Sequence, residues 1–302
     1  MAGAIYEFFG YRAEDGSDAA LAAAATYHCP FLDEICEKRL SDGIVSGVCS
    51  VKPITSAPVI CCPIRLYAEH YKILTEVATE VWGAGIKIKP GREARAEAIN
   101  SKHRIVAAFG KRWGGELRLP KKDGFGNYFV DWILALLNEH GQLVEFVAIE
   151  VQTVDTTGNY RNGRLELEQE NRELIKTSVG INWENVSKRI IPQLIYKGQV
   201  LQRESTAKHG LYFVCPKPVL DRIMRRLGGK KMLPEYPAQN GSLTFLAYDY
   251  HATGTVRDGE PLPLAVVERI GTTVERLQRA FNDVTLQDSD VYRSAIEIAL
   301  TN

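Results

Sequence analysis

Apolar and polar positions alternate along the middle of the chain in short bursts, separated by turn-forming residues. Residues 105–109, 116–119, 128–137 and 143–154 are rich in β-branched and aromatic side chains, which predicts four strands. Asn138-Glu139-His140-Gly141 lies between the last two and predicts a hairpin turn. Residues 211–215 and 243–250 predict further strands. Elsewhere the period lengthens. Leu66, Ile73, Leu74, Val77 and Val81 fall near helical spacing, and Gly83 and Gly85 end that run, so a helix is predicted over 66–82. A polar helix is predicted over 165–177 and another from near Trp183. Three more are predicted over 219–227, 264–281 and 290–300. The sum is a mixed β-sheet flanked by helices, an α/β (α+β) protein.

One stretch lacks either period. Residues 29–62 are punctuated by Pro30, Gly43, Gly47, Pro53 and Pro58, and read as irregular backbone in need of a staple. The expected organisation is a small N-terminal segment, 1–65, followed by a larger body, 66–302. At 302 residues the chain is long enough to bury a full core with one small appended module. No apolar run reaches the ~20 residues that span a bilayer, and no secretory leader pattern opens the chain. A reducing cytoplasm is the expected compartment.

That compartment matters for the cysteines. Five of the six, Cys29, Cys36, Cys49, Cys61 and Cys62, fall inside the irregular stretch. Disulfides are disfavoured in a reducing cytosol, so clustered thiols point to a metal, and four thiolates suit Zn²⁺ or iron. Neighbouring Cys61 and Cys62 do not readily share one ion, so one of them is spare. Isolated buried cysteines behave as small hydrophobes, but five so close together are a poor match for that simpler explanation.

The formal charge balance, 37 basic against 37 acidic residues, argues mildly against a nucleic-acid partner. Its distribution changes the picture. Residues 87–122 carry eleven Lys and Arg against three Glu, and residues 186–231 carry eleven against two acids. Such bipolarity suits a DNA-facing cleft on an otherwise neutral protein, and equally suits solvated faces.

Candidate chemistry lies on the hairpin. Asp131 sits in the first strand; Glu150 and Gln152, two apart, share a face of the second. If Leu137 closes the hairpin opposite Gln142, Asp131 faces Ala148 and Glu150 becomes its diagonal neighbour, roughly 7 Å away. Two carboxylates among apolar strands are costly to ionise without a cation between them. Mg²⁺ takes one or two carboxylates plus substrate phosphate oxygens, which points to phosphodiester hydrolysis. Glu116 is placed to add a third carboxylate. An acid pairing with Arg104 or Arg118 is the plainer alternative, weakened by the apolar character of Ala148, Ile149 and Val151.

Taken together, these residues resemble the NotI family of type II restriction endonucleases. Cys29-Pro30-Phe31, Cys36, Gly47-Val48-Cys49-Ser50-Val51 and Cys62-Pro63-Ile64-Arg65 follow the order of that family's iron-binding Cys₄ knot. Asp131, Glu150 and Gln152 match its PD-(D/E)xK-type nuclease core, in the variant with Gln for Lys; Glu116 matches an upstream acid less closely. Val130 replaces the usual proline before the first acid. The resemblance implies Cys29, Cys36, Cys49 and Cys62 as ligands, with iron favoured over zinc. It also implies Mg²⁺ held by Asp131 and Glu150, and a homodimer that cuts double-stranded DNA at a G·C-rich palindrome such as CGGCCG. Arg161, Asn162 and Arg164, in a polar loop just past the second strand, are expected to reach bases. The alternative function is a non-enzymatic, zinc-containing DNA-binding protein, in which the acids are structural.

Overall fold

A computed structural model describes residues 3–54, 56–115, 117, 129–169, 172–250, 257–283 and 289–301. The N-terminal part is built from short strands, β1 (Ala4–Phe8) and β2 (Tyr11–Arg12), then helix α1 (Asp18–Ala25). Next come the paired β3 (His28–Cys29) and β4 (Glu34–Ile35), then β5 (Val48–Lys52) and β6 (Val59–Ile60). Four of these strands form one sheet in the order β2-β1-β5-β6. Phe8, Phe9, Val48 and Val51 pack its core around the buried cysteines. Gly47 holds φ 68°, and a Cβ there would lie 2.5 Å from Phe9, so the aromatic pair and the glycine specify each other.

The predicted helix over 66–82 is correct only in its second half. Pro63–Tyr67 is a 3₁₀ turn, and Glu69, His70 and Tyr71 hold left-handed φ near 55–60° inside α2 (Ala68–Trp82). Tyr67 just before this kink and Tyr71 at its end both pack on Trp132, with ring centroids 5.7 and 5.3 Å away. Beyond it, Ile73, Leu74, Val77 and Ala78 are buried at helical spacing.

The main sheet follows: β7 (Ile88–Pro90), α3 (Gly91–Ser101), β8 (Ile105–Gly110), β9 (Trp132–Leu137) and β10 (Leu143–Val151). After β11 (Thr156–Thr157), α4 (Arg161–Leu167), β12 (Gly180–Ile181), a π turn at Val186–Ile190 and α5 (Ile191–Leu201), the chain returns as β13 (Leu211–Pro216). Then come α6 (Lys217–Arg226), β14 (Ser242–Tyr250), β15 (Leu264–Thr273), α7 (Val274–Asn282) and α8 (Val291–Thr301). Seven strands pair in the order β15-β14-β13-β10-β9-β8-β7. The three inner neighbours β10, β13 and β14 run parallel, while β9, β8 and β15 add antiparallel pairings. The mixed sheet flanked by helices agrees with the predicted class.

Alternation within the strands divides the core between the two faces. Trp132, Leu134, Val147, Ile149 and Tyr212 pack toward α2. Ala148, Phe213 and Phe245 pack toward α5, α6 and α7 with Leu194, Leu220 and Leu277. Each such fully buried side chain contributes about 2 kcal/mol of transfer free energy. Among the described residues, no helix is long and apolar enough to cross a membrane.

Two expectations fail here. The segment 264–281 is not one helix: its first ten residues form edge strand β15, and Val266, Val267, Ile270 and Thr272 supply the β-branched content that favours this. The predicted helix over 165–177 forms instead at Arg161–Leu167, and Thr177 leaves it to bridge Gly3. The predicted strand over 116–119 lies outside the described residues, apart from Leu117.

Candidate active site and cysteine knot

The hairpin β9–β10 brings two carboxylates together more directly than the sequence suggested. Strand pairing closes at Leu137 with Leu143, and a bulge at Val144 consumes one further residue. The register is therefore two residues from the expected one. Ile149 faces Trp132, so the next pair toward the strand end sets Glu150 across from Asp131, not diagonal to it. Opposed residues of an antiparallel pair share a face. The backbone N–H of Val151 donates to Asp131 Oδ2 at 2.8 Å, and the backbone N–H of Asp131 donates to the Glu150 carboxylate.

Glu150 is 5% exposed. Burial, and then the charge of Asp131, push its carboxyl up to about 7, against the opposing pull of Lys197. Glu150 Oε2 and Gln152 Oε1 are buried without a hydrogen-bond partner. Buried oxygens left so are expensive unless something binds them.

Three neighbours escaped the sequence reading. Lys197 of α5 places Nζ 2.5 Å from Glu150 Oε1. Gln193, one turn earlier, accepts from Gln152 Nε2 at 3.5 Å. Buried Tyr67 feels both acids: burial first, then the Asp131 charge, raise its hydroxyl pKa. A basic or amide residue on a predicted amphipathic helix carries no mark of such a partner, 41 to 47 residues earlier in the chain.

Asp131 and Gln152 open onto a cleft of about 540 Å³ that reaches Cys61 and Cys62. Lys111, Arg112 and Arg189 line it. The first two come from one of the basic runs and the third from the other. Arg112 is held by Glu34 and Glu37. On its other side Asp131 borders an apolar cavity of about 430 Å³, shared with Lys197. The expected third acid, Glu116, lies outside the described residues.

The expected base-reading residues are not in this cleft. Arg164 must be corrected outright: it is buried, donates to the Val45 carbonyl at 2.7 Å, and grips both oxygens of Glu168. A buried guanidinium engaged through all three of its nitrogens is not presented to a base edge. Arg161 is exposed but ion-paired to Asp42 at 2.7 Å, and Asn162 beside it is exposed on the same helix, α4.

Cys29, Cys36, Cys49 and Cys62 line a single small cavity of about 10 Å³, room for one atom-sized guest. Cys61 is not among its walls. Its sulfur faces away and accepts from Lys38 Nζ at 3.3 Å; the same ammonium reaches the carbonyls of Val48 and Cys61 at 3.1 Å each. Burial alone would depress the Lys38 pKa, but the Cys61 and Cys62 sulfurs outweigh it and raise it. Burial pushes the Cys62 thiol up to about 12 and raises Cys29 and Cys49 as well.

Among the described residues, no three Cys, His, Asp or Glu side chains already stand at ligating geometry. The donor chemistry nonetheless fits. Four free thiols around one atom-sized cavity suit a tetrahedral soft-ligand ion. Two facing carboxylates beside an unpartnered carboxylate oxygen suit a hard cation that completes its shell with water and substrate.

No curated protein matches the chain. The family model described as "Restriction endonuclease NotI" matches residues 15–210, a span from ahead of the first cysteine to the start of β13. It takes in the thiol-lined cavity, the Asp131–Glu150 hairpin and Lys197, and it covers well over half of the sequence; the chain belongs to the NotI restriction endonuclease family.

Proposed function

We propose that the protein is a Mg²⁺-dependent type II restriction endonuclease. As a homodimer it hydrolyses phosphodiester bonds in double-stranded DNA at a G·C-rich palindrome, of which CGGCCG is one. The observation that carries this reading is the facing of Asp131 and Glu150 across the open end of the hairpin, with Glu150 Oε2 buried and unpartnered.

Asp131 and Glu150 would hold the cation, which when bound would supply charge neutralisation at the scissile phosphate and a lowered pKa for a bound water. The Val151 N–H fixes the Asp131 carboxylate, which cuts the reorganisation needed at the moment of reaction. Gln152, uncharged near neutral pH, orients water through its amide and its free Oε1. Glu116 is a further acid of the site. Lys111 and Arg189 attract the phosphate backbone into the cleft.

One such centre cuts one strand, so a palindromic duplex calls for two related by a two-fold axis. The cysteines hold a structural ion, iron by family resemblance and zinc by an equally good match to four thiolates. It staples the N-terminal sheet behind the cleft and takes no part in the chemistry.

Incubation of the purified protein with plasmid DNA and Mg²⁺ tests the reading. Fragments of fixed size, absent when EDTA replaces Mg²⁺, are expected. Retarded but intact plasmid under all conditions overturns it in favour of a DNA-binding protein.

A further inference from the structure

Two spacings coincide at the candidate active site. Glu150 on β10 and Gln152, one residue past its end, are two residues apart, a span of about 6.6 Å in extended chain. Gln193 and Lys197 are four apart on α5, which spans about 6 Å. The helix therefore meets the strand at two rungs: Lys197 on Glu150 at 2.5 Å, and Gln193 on Gln152 at 3.5 Å. Both ends of the first rung are shielded, with side chains 17% and 7% exposed. Leu194 and Leu201 of the same helix are buried in the core, so the rung hangs from a fixed support.

The two oxygens of Glu150 are treated differently. Oε1 is bound by the Lys197 ammonium and the backbone N–H of Asp131 also donates to the carboxylate, while Oε2 is buried with no hydrogen-bond partner. A carboxylate free at both oxygens rotates about its last bond; one tied at Oε1 presents Oε2 in one direction. Position 152, two residues along the strand, bears an amide that carries no charge. Among the described residues within reach of Glu150, the charged side chain that does this tethering comes from the helix.

We propose that Lys197 is a positioning residue of the cation site: it anchors Glu150 through Oε1 and thereby presents Oε2, beside Asp131, to the incoming divalent ion. The inference rests on the metal-site reading above and extends it to a residue outside the hairpin. Hydrogen-bonding partners of ligating carboxylates typically govern metal affinity by 10–100-fold.

The test is calcium binding to the intact protein by titration calorimetry at pH 8.5, with no DNA, for wild type, Lys197→Met, Lys197→Arg and Asp131→Asn. Lys197→Met is expected to bind Ca²⁺ 10–100-fold more weakly. Lys197→Arg, which keeps a donor cation, is expected to recover most of that loss. Should Lys197→Met not fold, as read by circular dichroism, the Lys197→Arg and Lys197→Gln pair carries the comparison, with Arg expected to bind more tightly than Gln. Unchanged or tighter Ca²⁺ binding on loss of the ammonium overturns the proposal. Tighter binding would mean that Lys197 competes with the ion for Glu150. The control separates the two levels. If Asp131→Asn binds Ca²⁺ as wild type does, the metal-site reading itself falls. If Asp131→Asn loses binding while the neutral Lys197 variants keep it, only the role of Lys197 falls.

Discussion

Asp131 accepts a 2.8 Å hydrogen bond from the backbone N–H of Val151, the residue immediately after Glu150. That bond pins one acid to the strand that carries the other, with the protein's own backbone holding the pair together. Replacing Asp131 with Asn keeps an oxygen able to accept from Val151 and removes the charge. DNA binding in Ca²⁺ is expected to survive within a few-fold. Cleavage in Mg²⁺ is expected to fall by about 10²–10³, the scale seen when a group that stabilises transition-state charge is lost. A plasmid-cutting assay beside a gel-retardation assay measures both, and an Asn variant that cuts at the wild-type rate removes Asp131 from the site.

Glu150 gives the metal-free protein a distinctive pH dependence. Burial and the Asp131 charge raise its carboxyl to about 7 in the folded state, against 4.5 ordinarily. Between those values the folded protein holds a proton that the unfolded chain has released. Stability therefore falls as pH rises through this window, and is level on either side of it. The shift corresponds to a loss on the order of 3 kcal/mol. Urea unfolding in EDTA at pH 4.5 and pH 8 measures it. The Glu150→Gln variant, which has no proton to lose, is expected to lack that component, and identical pH dependence in the two proteins refutes it.

Much of this site was legible because local pattern and fold agree there. Asn138 turns the hairpin by accepting from the N–H groups of His140 and Gln142, and Leu134, Leu136, Val147 and Ile149 of its strands are buried as their composition predicts. The register was not legible. Nothing local in Leu143-Val144-Glu145 marks a bulge, which forms where Glu145 binds Trp82 and His209 from distant elements. Lys197 was hidden for the same reason: its partner is set by how α5 crosses the sheet. Arg164 misled because a loop was expected where a helix forms, and the helix gives it Glu168 at i+4. Residues 264–273 misled because an edge strand and a helix can share the same apolar content; pairing with β14 decides between them.

The N-terminal module holds an ion pair without solvent contact, and the large sheet reaches it through Tyr250 of β14. Arg65 donates to Glu7 at 2.9 Å, and Ser50 and Tyr250 complete the carboxylate at 2.9 and 2.6 Å. Both charged side chains are fully buried. Such a pair contributes little net stability, yet breaking it strands a charge and costs roughly 3–5 kcal/mol. Arg65→Met is expected to lose that much in urea unfolding, and Glu7→Gln combined with Arg65→Met to lose less than the single change. A double variant as unstable as the sum of the two singles would show that the residues act independently.

The adjacent cysteines offer a separation that no bulk measurement of metal gives. Cys62 lines the cavity with Cys29, Cys36 and Cys49, whereas Cys61 is turned toward Lys38. A structural ion held by four thiolates is worth on the order of 10 kcal/mol of folding free energy, more than most domains can lose. Cys62→Ser is therefore expected to yield protein without the ion and with an unfolded or aggregated N-terminal part, and Cys49→Ala to do the same. Cys61→Ser is expected to retain one ion per chain and nearly wild-type stability, because serine keeps an acceptor for Lys38 and gives up only weak thiol contacts to the Val48 and Cys49 carbonyls. Elemental analysis of the purified variants counts the ion, and the absorption spectrum separates a coloured ferric thiolate centre from colourless zinc. A full complement of metal in Cys62→Ser, together with its loss in Cys61→Ser, would exchange the two residues' roles and leave the cavity without its guest.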